Sequence, residues 1–257
     1  FVLIVHLLVP GSLYIHIKTI HHQSAHVTTD NLGHLYAVGA YNITMYDAEG
    51  TELNQFSDRD YGTITHVDPS DPFKVLVYFR DFQRIIWLNN RLSVQGNPVS
   101  LFDYSFLDPA LVCSSYDNGF WVWDRGAGEM VRISQQLKPD QQSGNLAGQL
   151  QPLPDFTYIC EEDFQLIALD TLLGIYFFDR FGTYTKRLPF FGVRSFQLKG
   201  DDLYYSTDQH FIRYNLTTIE DDTLKLPEKM HTGIRLEAKK LYIHHPDSIS
   251  IYHIKNQ

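Results

Sequence analysis

Apolar and polar side chains alternate with period two in short runs, bounded every ~10 residues by Gly, Pro, Asn, Asp or Ser, the pattern of β-strands joined by tight turns. One run, "NITMYDAEG" at 42–50, ends on a bulky residue, an Asp and then a glycine. Strand ends of this kind recur at Leu88-Asn89, Trp123-Asp124, Phe178-Asp179, Tyr214-Asn215 and Tyr252-His253, making six with Tyr46-Asp47. An apolar run starts 12 or 13 residues before each polar residue, at Leu35, Leu76, Leu111, Leu166, Leu203 and Leu241. Between the paired runs lie "GAYN", "FRDFQ", "SYDNG", "DTLLG", "STDQH" and "HHPDS", rich in residues that accept turn geometry. Further strand-like stretches flank each pair, so the unit holds up to four strands at a mean period of about 41 residues, the strand count and period of propeller blades. Helical solenoids repeat at similar intervals, but no 3.6-residue periodicity is sustained here, and Val, Ile, Tyr, Phe and Trp dominate the runs. The pattern predicts an all-β, six-bladed β-propeller, with inner strands starting near Val27, Ile64, Phe106, Tyr158, Phe196 and Ile234.

The two ends of the chain predict how the ring closes. The sixth unit stops at "SISIYHIKNQ", with no residues for an outermost strand, while "SLYIHIKTI" near the N-terminus alternates and has no blade of its own. Pairing that strand into the last blade covers an open edge and ties the first blade to the last. Residues 13–257 then form one propeller domain. Residues 1–12 open with "FVLIVHLLV", which has the length of a signal-peptide apolar region, is followed by Pro10, Gly11 and Ser12, and is too short to span a bilayer. It reads as a signal-peptide remnant, with a buried N-terminal strand as the other possibility, and the first reading makes the protein exported.

Charge narrows the partners. Thirty acidic against 21 basic residues give a formal charge of −9, which repels phosphate backbones and acidic lipid surfaces, so nucleic acid is not expected as a partner. The two cysteines, Cys113 and Cys160, lie in apolar runs and are read as free thiols rather than a disulfide. One interval breaks the period: Asp124 to Asp179 spans 55 residues, and the surplus falls in the Gln-, Ser-, Gly- and Pro-rich "RISQQLKPDQQSGNLAGQLQPLPD". The stretch is expected to be an exposed connection between blades, with 136–150 dispensable for stability. Gln141 and Asn145 within it, and Phe190 and Phe191 in another connection, are the candidate partner contacts.

The segment "VTTDNLGHLYAVGAYNITMYDAEGTEL" resembles the repeat of NHL and SMP-30 type propellers, in which D-x-x-G-x-L-Y precedes a strand ending in D-x-x-G. Asp30, Gly33, Leu35, Tyr36, Asp47 and Gly50 stand at those places. The match is partial over 160–184 and 196–218 and weak elsewhere, and the chain as a whole is similar to exported propellers of Bacteroidota-type bacteria. The resemblance implies the fold more than an activity. An SMP-30-like lactonase would gather a carboxylate and an amide on a divalent metal at the channel, for which Glu161 is the one candidate.

Other chemistry is sparse. Histidines cluster at His16, His21, His22 and His26 and at His244 and His245, and ring closure would bring the two groups together; they are read as surface or edge residues rather than metal ligands. The acidic runs Glu161-Glu162-Asp163, Asp201-Asp202 and Glu220-Asp221-Asp222 are read as solvated turns, since none has calcium-loop spacing. No nucleophile elbow, phosphate loop or Cys-His pairing is present, and no cofactor is expected. Two functions remain: a non-catalytic, exported binding or scaffold propeller contacting a protein or envelope component, and a metal-dependent hydrolase or lactonase of SMP-30 type.

Overall fold

The computed structural model describes residues 13–228 and 231–255. The N-terminal apolar run at 1–12 lies outside the described residues. Six four-stranded antiparallel sheets form the six blades. Their innermost strands are His26–Thr29, His66–Asp68, Pro109–Ser114, Tyr158–Glu162, Ser195–Lys199 and Gly233–Glu237, each starting within three residues of its expected position. The last blade is completed by Tyr14–His21, which pairs antiparallel with Ser248–Ile254 as the outermost strand. The expected closure is therefore present.

Blades are buried on both faces, so their strands send alternate residues to opposite neighbours. In the second blade Val75, Val77 and Phe79 pack with Tyr36, Val38 and Ile43 of the first, while Leu76 and Tyr78 pack with Val112, Phe120 and Val122 of the third. Phe120 and Val122 continue that layer, and the intervening Trp121 and Trp123 turn the other way onto Phe156, Leu166 and Phe178 of the fourth blade. Such two-sided burial is why middle strands such as Val75–Phe79 and Gly174–Phe178 are apolar throughout, while outer strands such as Glu52–Ser57 stay largely polar.

The recurring Asp or Asn caps a turn. Asp47 accepts from Glu49 N and Thr51 N at 3.0 and 2.7 Å, and Asn89 and Asp179 repeat the arrangement with the amides two and four residues on. Gly50 closes the first of these turns at φ +78°, where a Cβ would stand 2.9 Å from Ile251 Cδ1 and 3.2 Å from Ile20 Cδ1 across the closure seam. Both the conformation and the space select glycine. His253 makes no such turn; it lies inside the strand Ser248–Ile254 and pairs with Ile15.

The third blade corrects the reading of the long interval. Its strands are Pro109–Ser114, Phe120–Asp124, Glu129–Ile133 and Pro139–Gln142. Asp124 thus ends the second strand, whereas Asp47 and Asp179 follow the third. Its counterpart is Asp170, at the end of the fourth blade's second strand: Asp124 accepts from Leu107 N and Asp108 N, and Asp170 from Asp155 N, each holding the incoming connection from the previous blade. In register with Asp47 and Asp179 stands Ser134, 45 residues from both Asn89 and Asp179. The extra length is smaller than the 55-residue interval suggested and lies at 143–157, a 15-residue connection where the other blades are joined by eight residues or fewer. The segment expected to be a dispensable connection supplies the blade's outermost strand and then buries Leu146 and Leu150 against Trp121, Trp123 and Phe156.

Candidate functional site

Inner strands run from one face of the ring to the other. The face where they start, here the upper face, also carries the loops joining second to third strands and those leading from one blade to the next. The channel opens on it as a funnel of about 380 Å³. First residues of the inner strands crowd its wall: His26, His66 and Tyr158, with Thr28, Phe196 and Ile234 one or two positions deeper. His244 joins from the last blade, its Nδ1 2.7 Å from Thr232 Oγ1 and its Nε2 3.0 Å from Ser24 Oγ.

The funnel is short of negative charge. Among the described residues lining it are Arg194, Arg235 and three histidines, and no Asp or Glu. Burial holds the His26 pKa down at about 4, helped by His66, His244 and Arg235. His66 is lowered by burial too, against the pull of Asp68, and burial likewise lowers His244. Burial pushes the Tyr158 hydroxyl well up; its ring lies 5.4 Å from both the His66 and Phe196 rings. The lower mouth is smaller, about 180 Å³, and is lined by Asp30, Asp68, Glu161, Glu162 and Glu237 with Lys199. Arg235 lines both cavities, at the waist between them.

These imidazoles predict a pH dependence. Each is neutral in the fold, and the unfolded chain takes up the proton first, near pH 6.5. Their stabilisation is complete above that value and is lost as pH falls toward about 4, with His26 contributing no more than about 3 kcal/mol, less for water reaching it through the funnel. Urea unfolding at pH 7 and at pH 4.5 should show the loss, and His26→Gln should remove part of the difference. An unchanged midpoint would contradict neutral imidazoles in the fold.

Glu161 belongs to the packing between two blades. Its carboxylate accepts from Ser115 Oγ, from Tyr116 N at 3.1 Å and from Trp121 Nε1 at 2.7 Å. Ser115 Oγ in turn receives Arg132 Nε at 2.8 Å, and Arg132, 2% exposed, pairs with Asp140. The donors thus come from the third blade and fix the fourth against it. Among the described residues no group of three or more His, Cys, Asp or Glu is placed to hold a metal ion.

The acidic runs and histidines correct two expectations. Glu161 and Glu162 end an inner strand, and Asp221 and Asp222 lie in an outer strand rather than a turn. His16 and His21 are exposed on the outermost strand of the last blade, as expected, whereas His26 and His244 meet at the channel and not on the surface. His66 and Arg235 went unrecognised in the sequence; the 40 residues from His26 to His66 match the repeat period, a signal that was there to be used. Cys113 and Cys160 are free thiols, and burial raises the pKa of both.

The four expected contact residues occupy different environments. Phe190 stacks on Tyr205 at 4.8 Å and meets Tyr214 edge-on, whereas Phe191 is 68% exposed. Gln141 sits in the outer strand opposite Arg132. Asn145 is exposed but braces its loop, accepting from Ala147 N and donating to Ala127 O.

No protein-family model matches the chain, and no curated protein does. Solved structures do. A catalytically inactive histidine-to-alanine variant of virginiamycin B lyase from Staphylococcus aureus, with quinupristin, is 13% identical with a TM-score of 0.60, covering 89% of this chain and 80% of that one. BBS1N in complex with ARL6DN is 13% identical with a TM-score of 0.60, covering 96% and 98%. The extracellular domain of a putative one-component system from B. thetaiotaomicron is 16% identical with a TM-score of 0.57; the match covers 90% of this chain and 33% of that one. At these identities the likeness shows the propeller fold alone. No helix of the described residues is long and apolar enough to cross a membrane.

Proposed function

We propose that the protein is a non-catalytic binding propeller, working outside the cytoplasm and presenting its upper face to a protein or cell-envelope partner. One observation carries the reading: large apolar side chains stand exposed on that face, on four loops, the second-to-third-strand loops of the second and fourth blades and the connections that follow those blades. They are Phe82, Phe102, Leu107, Leu172 at 78% exposure and Phe191 at 68%. Exposed aromatic and aliphatic tips around a concavity are the surface that partner burial rewards. The acidic net charge favours a partner other than nucleic acid. BBS1N, a propeller of the same fold, is found in a protein complex, and the B. thetaiotaomicron neighbour is an extracellular domain. The NHL and SMP-30 type repeat at Asp30 to Gly50 accords with this use of the fold, and Phe191 and Asn145 fall on neighbouring upper-face connections.

The rival is a metal-dependent hydrolase or lactonase of SMP-30 type. To serve there, Glu161 would have to give up Ser115, Tyr116 and Trp121. The test pairs two measurements. Retention of an envelope partner on the immobilised chain should fall in a Leu172→Ser/Phe191→Ser variant that melts like the parent. Stoichiometric calcium or zinc in the purified protein, together with lactone hydrolysis lost on Glu161→Gln, would replace the binding reading with the hydrolase.

A further inference from the structure

We propose that the upper funnel is a binding site for a small organic carboxylate, held by the guanidinium of Arg235 at its floor. This site is separate from the partner surface formed by the loop tips.

Arg235 is under-satisfied where it stands. A guanidinium offers five N–H donors. Among the described residues its Nη1 donates only a long bond of 3.5 Å to Phe196 O, its Nε is buried without a partner, and it forms no ion pair. The other arginine of the funnel, Arg194, shows what such a fork takes: its Nε and Nη2 grip the two oxygens of Asp208 at 2.7 and 3.1 Å. Arg194 is satisfied at the rim, and Arg235 is the cation left inside. Glu162 and Asp68 face it through the acidic lower mouth without reaching pairing distance.

The surroundings select the ligand class. A chain of net charge −9 has a funnel with no carboxylate among the described residues of its wall, while the opposite mouth gathers five acidic residues. An anion is therefore admitted from above and repelled from below. One free guanidinium beside neutral imidazoles supplies a single positive charge, which matches a carboxylate better than a doubly charged phosphate. Tyr158, Phe196, Leu169 and Ile234 provide walls for an apolar body, and 380 Å³ is the size of a small-ligand cleft.

The experiment titrates the full chain by calorimetry with benzoate, with benzamide as its uncharged counterpart of the same shape, and with inorganic phosphate. Benzoate is expected to bind at least about tenfold more tightly than benzamide, and Arg235→Gln to weaken benzoate by a similar factor while leaving benzamide unchanged. Arg235→Lys, which keeps the charge, should retain part of the affinity. Equal binding of benzoate and benzamide, no benzoate binding, or full benzoate binding by both Arg235 variants would overturn the proposal. Tighter binding of phosphate would overturn the carboxylate assignment. Leu172→Ser/Phe191→Ser should bind benzoate like the parent, so loss of the partner and loss of the anion are read separately.

Discussion

Leu146→Ala is expected to lower the unfolding free energy by about 2–5 kcal/mol, and deletion of residues 139–150 to abolish cooperative folding. Leu146 is fully buried in a layer with Trp121, Trp123, Met130 and Phe156, where the third and fourth blades meet. Truncating it removes transfer free energy and leaves a cavity among large rings that cannot close over the gap. The deletion goes further. It removes Pro139–Gln142, which covers the third blade's edge, and it removes Asp140, which pairs with the buried Arg132. Stranding that guanidinium is costly in its own right, because the desolvated charge keeps no carboxylate partner. Urea unfolding of Leu146→Ala reads the first expectation, and circular dichroism with a melting curve reads the second. A deletion variant melting within about 1 kcal/mol of the parent would restore the exposed, dispensable connection that the composition suggested.

That composition misled for a physical reason. Outer strands lie at the solvent edge, so their sequences resemble loops: "PDQQ" has no apolar residue, yet it pairs with the strand carrying Arg132. Blade number and closure were legible because the turn after the third strand repeats the same chemistry, an Asp or Asn side chain receiving amides two and four residues ahead, as at Asp47, Asn89 and Asp179. Asp124 also receives amides ahead of it, from Gly126 and Ala127, but at the end of its blade's second strand, which shifted the apparent register there by one strand. The funnel was legible only in part: Val27, Tyr158, Phe196 and Ile234, which line it, stand at expected inner-strand starts, but its imidazoles and guanidinium do not announce themselves. Its polar groups come from inner strands far apart in sequence, and burial in a ring depends on which residues begin those strands rather than on any local motif. Arg235 in particular stands in "GIRLE", an ordinary alternating strand, and only the ring places it at the waist of the channel.

A chain beginning at residue 22 is expected to dimerise or aggregate rather than merely melt earlier. Tyr14–His21 pairs along its length with Ser248–Ile254, and without it that strand becomes an open edge with unpaired amides and carbonyls, a template for another molecule. The loss reaches past the backbone. Ile20 packs with Tyr242, Ile249 and Ile251 of its own blade and with Leu35 and Tyr46 of the first, and Lys18 Nζ donates to Gly50 O at 2.7 Å across the same seam. Removing the strand therefore uncovers the apolar layer between the last blade and the first, where ring opening starts. Ile17→Pro is a poor probe of this closure. The register slips between His16 and Lys18, so Ile17 occupies a bulge, a position where proline is tolerated. Ile20→Asp is the sharper substitution, because it sets a charge in the seam while leaving the backbone pairing available. Size-exclusion chromatography beside thermal melting distinguishes the outcomes: the truncated chain should elute as dimer or larger, and Ile20→Asp should stay monomeric at low concentration with a melting midpoint well below the parent's. A truncated chain that elutes as a monomer and melts like the parent would show that the ring holds without its outermost strand, and that the seam at Gly50 is closed by the inner three strands of the last blade alone.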